Sequence, residues 1–559
     1  MSTFDSKLAK LSEQIKLGGL KSPGLSPNST FAYSSVMSMQ FDWTWHWYYV
    51  FYFLFVYQLG AILWRFWWKA PSNVIIAAYP TILGRWLTAL HMIVDAESLL
   101  HNAYKSSNGK PFAIPMIDRW IIFVTNKEEL KQLESEPESL LSMEHALNEL
   151  GFTNLVLGPF ALIPEKDKIK SENFRVMIGV LKNKLRSNLP DMTNSFRLRI
   201  NESIDLEYEN GTRLNSHEEW RKIRLMPAFL RIFTRVNITT FLGEEQGTRP
   251  EVYKLVMDFY WSIGRALPFL NLIPAWLLPM IAPVLMGWGV ARAKVFRLLH
   301  LMTHETISGE EAKRNPGARG HLTRWVAEMS RLDDIAETAK VTIGLLFASA
   351  FQVPMVSQFM IHSLCKHRDY HDRLREEALR YKDAPFGRVN QDMPLLDSFM
   401  RETVRLSPGI ILSAPRLIMA PYTSYNQGYH SPAGNWLAIP QVSLMRDEKI
   451  WPNASEFDGF RYVDADGNSE DRFTHPAYDF PFWGSLRHSC PARFYVSVIL
   501  KLILGHLITD YEFKLENPDK KPFMTFGHTR LPSPFLSILI RKRPAEECVP
   551  IRSSEVVQG

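Results

Sequence analysis

Residues 482–494, FWGSLRHSCPARF, set one of the chain's three cysteines between a Trp-Gly-Ser loop and an apolar run. Cys365 and Cys548 lie far from it, and none of the three stands in a metal-ligand spacing such as C-x-x-C. So few cysteines in 559 residues exclude a disulfide-built scaffold and point to a reducing compartment for most of the chain. Cys490 is then a buried structural thiol, a nucleophile or a single thiolate ligand. A cysteine at a helix start meets the positive end of the backbone dipole and free N–H groups, which favour thiolate. Arg487, His488 and Arg493 add positive charge nearby. A nucleophile also needs a base oriented by a third group, and spacing alone supplies none. A second suggestive pattern is RETVR, in which Glu402 and Arg405 share one helix face and can pair. Downstream, WPNASEFDGFR offers Arg461 as a second cation for the same carboxylate.

The elements that must position these groups are mostly helical. MPLLDSFMRETVRLSP predicts a helix stopped by Pro408, and ARFYVSVILKLILGHLI predicts an apolar helix of about four turns directly after Cys490. Residues 333–367, DDIAETAKVTIGLLFASAFQVPMVSQFMIHSLCKH, form a long apolar helix pattern that Pro354 is expected to break. RWIIFVTNKEELKQLES reads as strand, turn and helix with Asn126 as cap, and GNWLAIP reads as a strand. No Gly-rich nucleotide loop follows any strand. The fold class expected is mainly α with a small β region.

Residues 43–64 contain no Asp, Glu, Lys or Arg. As a helix they would be roughly 33 Å long, enough to cross a hydrocarbon core. Trp43, Trp45 and Trp47 crowd one end and Trp64, Trp67 and Trp68 the other, as in an aromatic belt at two membrane interfaces. The expected organisation is a polar tail over 1–41, a single transmembrane anchor over 42–68 and a globular domain over 69–559. The uncharged stretch 266–291 carries Pro268, Pro274, Pro279 and Pro283, which suit short helices dipping into a membrane surface better than a second span. The formal charge of +6 is small and dispersed, which excludes a nucleic-acid partner.

Together the Glu402/Arg405 pair, the Arg461 loop and the cysteine loop, in that order, resemble the cytochrome P450 family over roughly residues 70–540. That family carries E-x-x-R on one helix, then an F-x-x-F-R-like loop, then F-G-x-G-R-H-x-C-P-G/A-R-F in many fungal members. The resemblance implies a P450 fold behind an N-terminal anchor, with Cys490 as the axial thiolate of a haem b iron, where sulfur donation favours O–O cleavage. It implies a buried structural triad of Glu402, Arg405 and Arg461, and propionate contacts from His488 and Arg416, read there as cationic partners for carboxylates. Trp483 stands where the family has Phe, and Leu486 where it usually has Gly, which predicts a slightly different loop path. The proline-rich hinge after the anchor is reduced to Pro71.

Function follows from the same resemblance. The leading expectation is a membrane-bound monooxygenase using O2 and electrons from an NADPH-cytochrome P450 reductase, with cytochrome b5 as a further electron donor. Its substrate would be a lipophilic small molecule of fungal secondary metabolism. The alternatives are a P450-fold isomerase or dehydratase that does not activate O2, and a non-catalytic haem protein. Where the family's distal helix reads A-G-x-D/E-T-T or A-A-x-H-T-T, this chain has Phe351 for the acid or histidine and Gln352 for the proton-delivering threonine. The expected location is the endoplasmic reticulum membrane, single-pass, with the catalytic domain cytosolic. Asn28, which opens the sequon Asn28-Ser29-Thr30, would then be a lumenal glycosylation acceptor, while Asn201, Asn210, Asn237 and Asn453 would stay bare.

Overall fold

The computed structural model describes residues 48–57, 59, 60, 69–81, 83–162, 172–214, 219–270, 273, 277–309, 321–330, 334–385, 387, 389, 392–469 and 471–548. The chain divides into two units, Met1–Leu59 and Gly60–Gly559. In the first, Tyr48–Tyr57 is an apolar helix with exposed side chains. Ten residues rise about 15 Å, half of a hydrocarbon core. The rest of the expected anchor, apart from 59 and 60, lies outside the described residues, as does Asn28.

The second unit is built on the helices α1 (Arg186–Glu209), α2 (Leu225–Leu242), α3 (Pro250–Leu270), α4 (Val290–Ile307), α5 (Ile335–Ser349), α6 (Gln352–Lys366), α7 (His371–Arg380), α8 (Pro394–Leu406) and α9 (Arg493–Asp510). A helix apolar on all faces must be buried on all faces. Accordingly α9, with Tyr495, Val498, Ile499 and Leu500 all buried, and α2, with Phe229, Phe233 and Val236, belong to one large helical core. The stretch Ile335–Lys366 is apolar and long enough to span a membrane, yet its apolar window is mostly buried inside the fold, as befits a core element.

That stretch breaks at Ala350–Phe351, upstream of the proline expected to break it. Pro354 is the third residue of α6, where its missing N–H is no loss. The N–H it lacks would have reached back to the Ala350 carbonyl, one turn earlier. Across it the Ala350 N–H turns to the Phe347 carbonyl at 3.3 Å, and helical bonding resumes with Met355 N–H to Phe351 O at 3.0 Å.

In 266–291, α3 continues through Pro268 to Leu270, and a short helix covers Leu278–Leu285 with Pro279 in its first turn. Phe269, Met280, Val284 and Trp288 are all more than half exposed there.

The β region holds a six-stranded sheet of β1 (Ile75–Ile76), β2 (Phe112–Pro115), β3 (Trp120–Phe123), β4 (Leu141–Ser142), β7 (Ser413–Ile418) and β10 (Trp436–Ile439), in the order β1-β2-β3-β10-β7-β4. Strands β5 (Thr212–Arg213) and β6 (Arg221–Arg224) join β11 (Tyr511–Leu515) and β14 (Ser537–Lys542) in a second sheet. The pairs β8 (Tyr422–Thr423) with β9 (His430–Ser431), and β12 (Phe523–Phe526) with β13 (Thr529–Pro532), are hairpins. Strands β2, β3 and β10 are buried throughout, which suits their unbroken apolar sequences. After β3, Asn126 accepts the Glu129 N–H at 2.8 Å and starts the helix Lys127–Ser135. Two connections set the positions of the polar groups: α8 leads past Pro408 into β7, which carries Arg416, and the cysteine loop leads directly into α9.

Candidate functional site

The loop around Cys490 is closed by its own backbone: the Cys490 N–H donates to the Trp483 carbonyl at 2.7 Å. Gly484 makes the turn possible, with φ +93° and a Cβ position only 3.0 Å from the His488 carbonyl oxygen. Leu486 keeps a negative φ, so the position where the family usually has Gly needs none of glycine's freedom here. Trp483 gives the loop an anchor that Phe lacks, donating its indole N–H to the Phe473 carbonyl at 2.5 Å. From outside the loop, Ser413 Oγ donates to Pro481 O at 2.5 Å, and Glu134 accepts the Arg487 N–H at 2.8 Å and the Tyr478 hydroxyl at 2.9 Å.

Cys490 precedes α9 by three residues, and the Ala492 and Arg493 N–H groups and the Arg493 guanidinium act on its sulfur. Burial outweighs them and pushes the thiol above its ordinary value. This environment does not make a self-activated nucleophile. The nearest histidine is committed elsewhere, because His488 Nδ1 lies 3.1 Å from Arg416 Nη2, which can only donate. Burial and the Arg416 charge lower the His488 pKa, and with Nδ1 accepting from Arg416 the donating ring nitrogen is Nε2. His488 thus presents its Nε2 side to the space beside the Arg416 guanidinium. Arg416 is 2% exposed. Its other bond is to the Pro415 carbonyl at 3.2 Å, and it makes no ion pair with a carboxylate among the described residues.

Glu402, Arg405 and Arg461 are brought together. Arg405 grips Glu402 in bidentate fashion at 2.7 and 2.8 Å, both side chains fully buried, and Arg461 Nε reaches both carboxylate oxygens at 3.2 Å. The remaining guanidinium N–H groups go to backbone carbonyls: Arg405 to Met445 and Ala454 at 2.7 Å, Arg461 to Pro452 at 2.6 Å. A buried ion pair is tolerable only when its spare hydrogen-bonding capacity is used in this way. The triad thus nails segment 445–461, which precedes the cysteine loop, to α8.

On the distal helix, Ala348 and Gln352 lie four residues apart and are its exposed positions around the break, while Val353 and Pro354 are buried. Residues on one helix face that are accessible within a core element line open space. Phe351 turns away from that face, its ring centroid 6.3 Å from Tyr260 and its edge against Gly264 of α3. Asn237, visible in the sequence only as a sequon, is fully buried and bonded to Ser349 and Tyr260. Its polar amide inside the apolar run of α2 was the available signal. Glu134, at the end of a solvated-looking helix pattern, gave none.

A mainly helical protein whose cysteine loop leads into a buried helix, and whose preceding segment is tied to another helix by a Glu–Arg–Arg triad, is the kind of scaffold that haem-thiolate enzymes have. The family model described as Cytochrome P450 matches residues 180–539, and the chain belongs to that family. Among its relatives, Cytochrome P450 monooxygenase AN1598 of Emericella nidulans is 26% identical over 476 residues, covering 82% of this chain and 85% of the relative. Cytochrome P450 monooxygenase 151 of Postia placenta is 24% identical over 501 residues, covering 87% and 97%. The solved structure of a retinoic acid bound cyanobacterial CYP120A1 superposes with a TM-score of 0.59 at 18% identity, covering 81% of this chain and 96% of that one, a likeness of fold. The chain is accordingly a P450 monooxygenase in enzyme class.

The residues present fit the haem that the family implies. A buried guanidinium without a carboxylate partner is costly, and Arg416 with the His488 Nε2 side offers the donors that a carboxylate-bearing group would accept. The thiol of Cys490 would be deprotonated outright by a coordinated iron.

Proposed function

We propose that Cys490 holds the haem iron, that Arg416 and His488 hold its propionates, and that the enzyme hydroxylates or otherwise oxygenates a lipophilic small molecule in fungal secondary metabolism. The observation that carries this reading is the buried Arg416 guanidinium, which meets half-buried His488 of the cysteine loop and makes no ion pair with a carboxylate among the described residues. A thiolate-ligated haem, when bound, supplies the O2-activating chemistry. The chain's own residues do the rest. Glu402, Arg405 and Arg461 fix the segment before the cysteine, and Phe351 packs its ring against Gly264 of α3. Gln352 offers an amide N–H that can orient a water but cannot pass a proton through itself as a hydroxyl does.

Electrons would come from an NADPH-dependent reductase, with cytochrome b5 as a second donor. Arg186 and Arg493 flank the Phe494 ring at 4.1 and 4.6 Å, giving this side of the cysteine the positive charge that an acidic redox partner needs. Membrane attachment is supported by the exposed apolar helix Tyr48–Tyr57 and, separately, by the exposed side chains around Met280 and Trp288. We place the catalytic domain on the cytosolic face of the endoplasmic reticulum. A glycosidase-sensitive mass shift abolished by Asn28→Gln tests that orientation, and glycans on Asn201, Asn210 or Asn453 would reverse it.

A second reading, rearrangement or dehydration without O2, is favoured by Phe351 and Gln352 alone. Coexpression with a reductase and incubation with terpenoid- and polyketide-rich extracts under 18O2 separates the two. Label in the product supports oxygenation; turnover at full rate with neither O2 nor reductase leaves only the second reading.

A further inference from the structure

We infer that Tyr260, Ser349 and Asn237 form a positioning cluster that sets the break in the distal helix and hence the placement of Gln352. The break frees a carbonyl. In a continuous helix the Leu346 oxygen would accept the Ala350 N–H, but that N–H has turned to Phe347. In its place, the Tyr260 hydroxyl donates to Leu346 O at 3.1 Å and the Ser349 hydroxyl donates to the same oxygen at 3.1 Å. Side chains inserted into a helical ladder are a recognised cause of a kink. Here the phenol comes from α3 and the hydroxyl from the last residue of α5.

Both hydroxyls are held from behind by one amide. Asn237 Nδ2 donates to Ser349 Oγ at 3.0 Å and to Tyr260 Oη at 3.4 Å, and Asn237 Oδ1 accepts the Tyr495 hydroxyl at 3.3 Å. Asn237 and Tyr260 are fully buried. Tyr495 belongs to α9, five residues after Cys490, so the chain of bonds runs from the cysteine helix to the distal break. At the break every proton has one destination: the two hydroxyls give theirs to Leu346 and the amide gives its pair to the hydroxyls, while the Tyr495 hydroxyl behind them is shared between the amide oxygen and Thr240. None is left to pass on, so the cluster positions and does not relay. The role assigned to Gln352 rests on the reading of this helix as the haem-facing wall; the claim that the cluster holds the break does not.

The test uses the full-length holoenzyme with Tyr260→Phe and Ser349→Ala, both close to isosteric. Amide hydrogen exchange is followed by residue, and the C–O stretching band of the reduced carbon monoxide complex reports on the distal wall. Losing a hydrogen bond to a buried carbonyl predicts about tenfold faster exchange. The acceleration should be confined to 350–355, with α9 unchanged, and the C–O band should shift or split while the thiolate-type absorption persists. Unchanged exchange at 350–355 in both variants, or equal acceleration throughout α9, overturns the inference. If the wild-type protein shows no thiolate-type carbon monoxide band, the haem assignment fails, and the exchange measurement still decides whether the cluster holds the break.

Discussion

On the cysteine side, charge is neutralised by charge and backbone by side chain: Glu402 is matched by two guanidiniums, and their spare N–H groups close on carbonyls of 445–461. On the distal side, a carbonyl left over by a helix break is satisfied by a phenol and a hydroxyl, both held by an amide, with no formal charge. The first arrangement is strong, intolerant of loss and tied to residue types that cannot be exchanged. The second is made of weaker neutral bonds whose members can vary as long as a donor reaches Leu346. The cysteine side carries the family's pattern at Glu402, Arg405 and Cys490, while the distal helix departs from it at Phe351 and Gln352.

The contrast breaks most visibly at Glu402. Glu402→Ala leaves Arg405 buried and uncompensated, a loss of about 3–5 kcal/mol. The variant should fail to retain haem, and chemical denaturation should show the loss; a variant with wild-type stability would mean the triad is dispensable.

A smaller effect lies under the same helix, where Glu377 of α7 accepts the Leu395 and Leu396 N–H groups at 3.0 and 2.8 Å. Burial pushes its carboxyl up to about 7 from 4.5. The folded protein therefore binds a proton more tightly than the unfolded chain. This group's contribution is fully present below about pH 4.5 and declines as pH rises to about 7, by about 3 kcal/mol at most. Glu377→Gln should flatten that part of the stability–pH curve; an unchanged slope would assign it to other groups.

The smallest effect belongs to the neutral side. Gln352→Leu removes an amide donor worth about 1 kcal/mol, so the ratio of peroxide to product should rise about fivefold. Gln352→Thr should keep or improve turnover of surrogate substrates. Equal coupling in all three proteins would show that Gln352 has no part in it.

Much of this is legible in the amino-acid sequence. The Glu402–Arg405 spacing dictates a shared helix face, and the apolar α9 dictates burial. Asn126 announces its helix because a capping side chain acts on residues next to it in sequence. What is not legible depends on distant contacts. Pro354 looks like the breaking point because the sequence shows the proline and hides the carbonyl it deprives. His488 reads as a cation because the burial and the Arg416 charge that lower its pKa come from contacts distant in sequence. Asn237 reads as a sequon because nothing local says that Ser349 and Tyr260 converge on it.

The most direct test of the central claim, that Cys490 is the thiolate ligand of a haem, is the absorption of the reduced carbon monoxide complex in single-cysteine variants. Cys490→Ala should abolish the thiolate-type band while Cys365→Ala and Cys548→Ala retain it. A band that survives in Cys490→Ala, or vanishes with either of the other two alone, would contradict the assignment.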